Sequence, residues 1–130
     1  MSMDLTIEVD NVPGALARVA AAISDAGVNI AAATCVGGDH HLAQVHILVP
    51  HAEPVRHALA ISQIAITSER EVEVVDVEDR PGQLADLTRI IAHAGVDLDL
   101  VYVATRNRVV LGSPDLEALR KALQRAHVAA

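Results

Sequence analysis

Apolar and polar residues alternate at the start of the chain, where Leu5, Ile7 and Val9 are separated by Thr6 and Glu8. A period of two is that of a strand with one buried face. After residue 12 the period lengthens: Leu16, Val19, Ala20, Ile23 and Ala26 fall on one face of a helix over 13–26. Gly27 is placed to stop it. Residues 28–35 predict a second strand built mostly of Ala, and Gly37, Gly38 and Asp39 a turn. Residues 42–49, rich in Val, Ile and Leu, predict a third strand that Pro50 ends. Val55, Ala58 and Leu59 give a shorter helix over 53–60, and 64–68 a fourth strand. The order is βαββαβ.

The pattern then begins again. A strand is predicted over 72–77, then a helix over 81–94 with Leu84, Leu87 and Ile91 inward and Gly95 as its stop. A strand over 96–104, a turn at 105–107 and a short strand over 108–111 follow. Ser113-Pro114-Asp115 opens a last helix that turns Leu116, Leu119 and Leu123 inward. Setting residues 7–30 against 75–98 gives nine identities in 24 positions: Val9, Pro13, Gly14, Leu16, Ala17, Ile23, Ala26, Gly27 and Val28. This is an internal duplication, with copies over 1–70 and 71–130. The fold class is α+β: tandem ferredoxin-like βαββαβ repeats, each an antiparallel sheet with its helices on one face. The second copy is expected to lack a full last strand, and so to leave the strand at 109–111 as an open edge for another chain.

Each copy carries the same phrase where its first strand meets its first helix: Asn11-Val12-Pro13-Gly14-Ala15-Leu16 and Asp79-Arg80-Pro81-Gly82-Gln83-Leu84. Proline fixes φ for a first helical turn and biases the residue before it away from helical geometry. Val12 and Arg80 are therefore the expected N-caps. Neither has a short oxygen-bearing side chain, so the following amides are left free at the positive end of a helix. Such a junction can hold a small carboxylate or phosphate. The plainer alternative is turn chemistry in which Asn11, Asp79 or water takes up the same amides.

Composition narrows the field. Hydrophobic residues make up 52%, yet Tyr102 is the only aromatic residue, so the core must be aliphatic. A net charge of −7 and the lack of stacking rings argue against nucleic acid and against an anionic membrane surface. With one cysteine there is no internal disulfide, and a cytoplasmic setting is expected. Cys35 itself is expected to be a buried thiol. His40, His41, His46, His51 and His57 cluster in sequence, but alternation sends His41 and His46 to opposite faces of a strand. Surface histidines are expected, with no metal and no cofactor. No Gly-x-Ser-x-Gly elbow and no local Cys–His motif appear, so no catalytic residue is assigned and no enzyme is expected.

The double βαββαβ order, with strand–Asx–x–Pro–Gly–x–Leu–helix–Ala–Gly–Val–Asx in each copy, resembles the ACT domain family. That resemblance implies a regulatory, amino-acid-binding protein whose sites lie at interfaces between ACT units. It implies homodimers or larger homo-oligomers and a regulated enzyme as possible partner. Carried onto this chain, the binding positions are Asn11, Val12, Gly14, Ala15 and Leu16, facing Asn29 and Ile30. The second set is Asp79, Arg80, Gly82, Gln83 and Leu84, facing Asp97 and Leu98. The alternatives are an assembly module that binds nothing and a small enzyme on the same fold. Saturable binding separates the first, and turnover the second.

Overall fold

The computed structural model describes residues 2–38 and 41–129, the side chains of residues 127–129 excepted. The elements are β1 (Ser2–Asp10), α1 (Ala15–Asp25), β2 (Ala32–Gly37), β3 (Leu42–Val49), α2 (Ala52–Ile61), β4 (Ile66–Asp76), α3 (Gln83–His93), β5 (Leu100–Ala104), β6 (Arg108–Gly112) and α4 (Leu116–Ala129). The chain forms two compact units that divide between Glu71 and Val72. Strand order is β2-β3-β1-β4 in the first and β4-β6-β5 in the second. The β1–β3, β2–β3, β4–β6 and β5–β6 pairs are all antiparallel.

In the first unit the alternation of β1 sends Leu5 and Ile7 into a core with Val19 and Ile23 of α1, Val45 and Ile47 of β3, and Val55 and Leu59 of α2. In the second unit Val75, Val109 and Leu111 meet Leu87 and Ile91 of α3 and Leu119 and Leu123 of α4. Both cores are wholly aliphatic. Each fully buried Leu or Ile contributes about 1.5–3 kcal/mol relative to its exposed state, so both units rest on many small terms.

β2 and β5 begin four residues later than the strands expected from 28 and from 96, at Ala32 and Leu100, and three further features differ from the sequence reading. The two strands expected over 64–68 and 72–77 are one strand, β4. Glu69, Arg70 and Glu71 between them are polar, but no Gly or Pro among them breaks the extended backbone. Second, the strand over 108–111 is not an open edge, because β6 is paired on both sides, by β4 and by β5. The free edges belong to β2 and β5. Third, β1 buries residues on both faces: Asp4 and Thr6, on the side away from Leu5 and Ile7, are 0% and 8% exposed. Thr6 Oγ1 donates to Asp4 Oδ2 at 3.2 Å, and His46 Nδ1, across the strand pair, lies 3.0 Å from the same oxygen. After α4 no further strand occurs among the described residues.

Candidate functional site

Both strand–helix junctions are built by one device. Ala15 N–H donates to Val12 O at 3.3 Å, closing a four-residue turn around Pro13 and Gly14. Gly14 has φ 87° and ψ −10°, and Gly82, in the matching turn, φ 91° and ψ −8°. These are the angles of the third position of a type II turn, where glycine is required, with proline favoured just before it. The helices accordingly start at Ala15 and Gln83 with Gly14 and Gly82 as N-caps. The expectation that Val12 and Arg80 cap them is corrected: each Pro-Gly pair forms a turn that begins at Val12 or Arg80, and the cap falls two residues later.

No side chain caps either helix. In α1 the first helical bond is Arg18 N–H to Gly14 O at 3.0 Å, and in α3 it is Asp86 N–H to Gly82 O at 2.9 Å. The amides of Leu16 and Ala17, and of Leu84 and Ala85, find no backbone acceptor or capping side chain among the described residues. Asn11 does not compete for them. Its side chain lies over Gly37, where an added methyl would stand 3.0 Å from Asn11 Nδ2. Asp79 is exposed and does not cap α3 either.

Beside the first junction lies a cleft of about 520 Å³. Val12, Gly14 and Ala15 line it together with Glu8 and Asp10 of β1 and Arg18 of α1, and residues 63–65 close its far side. Of the first set of binding positions, the cleft thus gathers Val12, Gly14 and Ala15. Leu16 points outward at 46% exposure. Ile30 packs on the hydrophobic core, and Asn29 is exposed outside the cleft. The sequence reading missed Arg18 and the two carboxylates. The signal was present, because Arg18 stands one turn after Gly14 and shares its face of the helix. Arg18 Nη2 also donates to the Ser62 carbonyl at 2.5 Å, tying α1 to the turn after α2.

The second junction borders a cleft of about 400 Å³ that includes Arg80 and Gln83. Both are already engaged. Arg80 Nε donates to Glu78 Oε2 at 2.8 Å, and Gln83 Oε1 accepts from Glu78 N–H at 2.8 Å. Asp79, Gly82, Leu84, Asp97 and Leu98 lie outside this cleft, Leu98 packed on its unit's core. Asp76, Glu78 and Asp86 line it as well. A carboxylate ligand meets three acidic residues there, against two beside the first junction.

Elsewhere, His41, His51, His57 and His93 are exposed, His46 is tied to Asp4, and His40 lies outside the described residues. Among the described residues no group of three or more His, Cys, Asp and Glu gathers as metal ligands would. Cys35 is exposed, contrary to expectation, because β2 is an edge strand whose outer side nothing in its unit covers. No helix among the described residues is long and apolar enough to cross a membrane.

A family model described as ACT domain matches residues 3–64 and again residues 70–128. Among solved structures, the chain is similar to protein BT0572 from Bacteroides thetaiotaomicron, with TM-score 0.85, 20% identity, and 96% of this chain and 88% of that one covered. It is also similar to the regulatory subunit of aspartate kinase from Thermus thermophilus in its ligand-free form, with TM-score 0.68, 20% identity and coverage of 95% and 90%. The corresponding subunit from Thermus flavus gives TM-score 0.64, 20% identity and coverage of 97% and 92%. At these identities the likeness is one of fold. No curated protein matches the chain.

Proposed function

This chain belongs to the ACT domain family, and on that premise we propose that it is a regulatory module that binds an amino acid in the cleft beside its first strand–helix junction. The observation that carries this reading is one cleft lined by Gly14 and Ala15 at the uncapped start of α1 and by both signs of charge, Arg18 against Glu8 and Asp10. A zwitterion needs that pairing. Its carboxylate suits the start of α1 and the Arg18 guanidinium, and its ammonium suits Glu8 and Asp10. The kinship in fold with regulatory subunits of aspartate kinase supports a regulatory role. The cleft is open to solvent on one side, and a second ACT unit covering it completes the reading. Asn29 and Asp97, exposed after their helices, are then available to such a neighbour. Binding would regulate by favouring the arrangement with the higher affinity for the ligand. The reading is of binding without turnover.

The test is calorimetric titration of the full chain with each of the twenty amino acids, beside the variant Val12→Asp. One amino acid is expected to bind saturably to the parent. A carboxylate at position 12 opposes the ligand's own, and losing one charge-assisted hydrogen bond, roughly 1.5–3 kcal/mol, weakens binding about tenfold or more. No saturable binding by any of the twenty would overturn the reading and favour a module that only assembles.

A further inference from the structure

α1 and α2 pack against each other, and between them lies a cleft of about 410 Å³ that shares no lining residue with the one beside the first junction. That volume falls in the range of small-molecule sites, about 300–1,000 Å³. Ala22, Ala58 and Ile61 give it apolar walls, Asp25 and His57 are the titratable groups on them, and no Lys or Arg among the described residues lines it.

Asp25 stands where a helix does not favour it. It is the last residue of α1, at the end that carries partial negative charge, and no basic residue shares that last turn. Neither Asp25 nor His57 makes an ion pair or side-chain hydrogen bond among the described residues. The duplication supplies an internal comparison, since positions 22 and 25 correspond to 90 and 93 in the second copy. There the last turn of α3 has a basic residue, His93, and Ile90 lines a groove with Leu123 of α4. The first copy thus has three fewer side-chain carbons on the wall and the opposite sign of charge beside it. A local rule broken in one copy and kept in the other marks a place with its own use.

We propose that the cleft between α1 and α2 is a second binding site, for a small aliphatic primary amine that carries no carboxylate. The ammonium pairs with the Asp25 carboxylate and offsets the negative end of α1. The neutral imidazole of His57 adds an acceptor nitrogen. The aliphatic chain lies against Ala22 and Ala58 and covers Ile61, whose side chain is 70% exposed. A carboxylate on the ligand meets Asp25 and the same helix end, so an amino acid is disfavoured. One carboxylate and one imidazole are too few to hold a metal ion.

Amide NMR of the full nitrogen-labelled chain, titrated with hexylamine and separately with hexanoate, tests this. Hexylamine at millimolar concentration should shift the amides of Asp25, Ala26, His57 and Ile61 saturably and leave Gly14 and Ala15 unmoved. Hexanoate should move neither set. Asp25→Asn should weaken hexylamine binding about tenfold. Ala22→Ile, which gives the cleft the second copy's residue, should abolish it, with circular dichroism to check the fold. Ile61→Ser changes only an exposed side chain and should weaken binding severalfold. The absence of a saturable shift with hexylamine overturns the proposal, as does equal binding by Asp25→Asn or equal binding of hexanoate. Shifts that saturate only at Gly14 and Ala15 put the amine in the other cleft and overturn it too.

Discussion

The side chain of Asn11 lies against the α-carbon of Gly37, so that a methyl group at Gly37 would meet Nδ2 at 3.0 Å and Oδ1 at 3.3 Å. The residue that follows β1 is thereby seated on the residue that ends β2. The backbone agrees, for Asn11 N–H donates to His41 O at 2.7 Å, just ahead of β3. The junction that opens the cleft is thus fastened to the sheet on the side away from α1.

This seating is testable as a coupling. Gly37→Ala should lower stability by about 1 kcal/mol, the low end of the cost of overpacking. In an Asn11→Ala background the clash is gone, and the same change should be neutral or stabilising by some tenths of a kcal/mol. Urea denaturation of the four proteins in the cycle measures the difference. Equal costs in both backgrounds would show that Asn11 does not occupy this place.

The paired glycines Gly14 and Gly82 give a cleaner case, because nothing lies within 4 Å of a methyl added at either. Only the backbone opposes substitution. Gly14→Ala and Gly82→Ala should each cost about 1–2 kcal/mol, the penalty for an L-residue in the left-handed region. Gly14→Asn should cost less, since asparagine tolerates that region better. Chemical denaturation that found alanine and asparagine equal at position 14 would mean that the turn relaxes.

Such turns show what the sequence did and did not disclose. Leu5, Ile7, Val45 and Ile47 are inward as their alternation requires, and the duplication was plain from Pro13-Gly14 and Pro81-Gly82. The helix start was missed by two residues because proline is at home both in a first helical turn and in a type II turn. Only the positive φ of the following glycine separates the two. Arg18 stands one turn after Gly14, but its place beside the cleft appears only once the 62–65 segment folds back against α1. Asp4 was unreadable for a related reason. In an alternating strand a carboxylate reads as solvent-facing, and its partner His46 is 42 residues away.

That pair supports a third prediction. Asp4 is fully buried, and the His46 side chain retains only 19% of its exposure. His46→Ala removes one hydrogen-bond partner from the buried carboxylate and should cost about 1–3 kcal/mol. Asp4→Ala should be less costly in the His46→Ala background than in the parent, since the two act as a unit. Strict additivity in thermal denaturation would show that they do not.

On the surface, Arg56 grips Glu69 with two prongs, Nη2 to Oε1 at 2.7 Å and Nε to Oε2 at 3.1 Å. The hydrogen bond from Arg56 holds the Glu69 carboxyl below its ordinary value. A carboxyl lowered on folding adds stability above its unfolded value, and loses it as pH falls through the folded one. Arg56→Gln should therefore lower the melting temperature slightly near neutral pH, by about 1 °C for so exposed a pair. The gap should close as the solution is acidified below the ordinary glutamate range. A gap of constant size at all pH values would assign the effect to something other than this pair.

Tyr102, 7% exposed on β5, is the only aromatic residue of the chain. Intrinsic ultraviolet fluorescence therefore has a single source. The first unit is optically silent, and the emission follows the second unit alone, from a strand at its free edge. Dichroism at far-ultraviolet wavelengths follows the backbone of both. Melting curves recorded both ways on one unlabelled sample would coincide if the two copies come apart together, and separate if one outlasts the other.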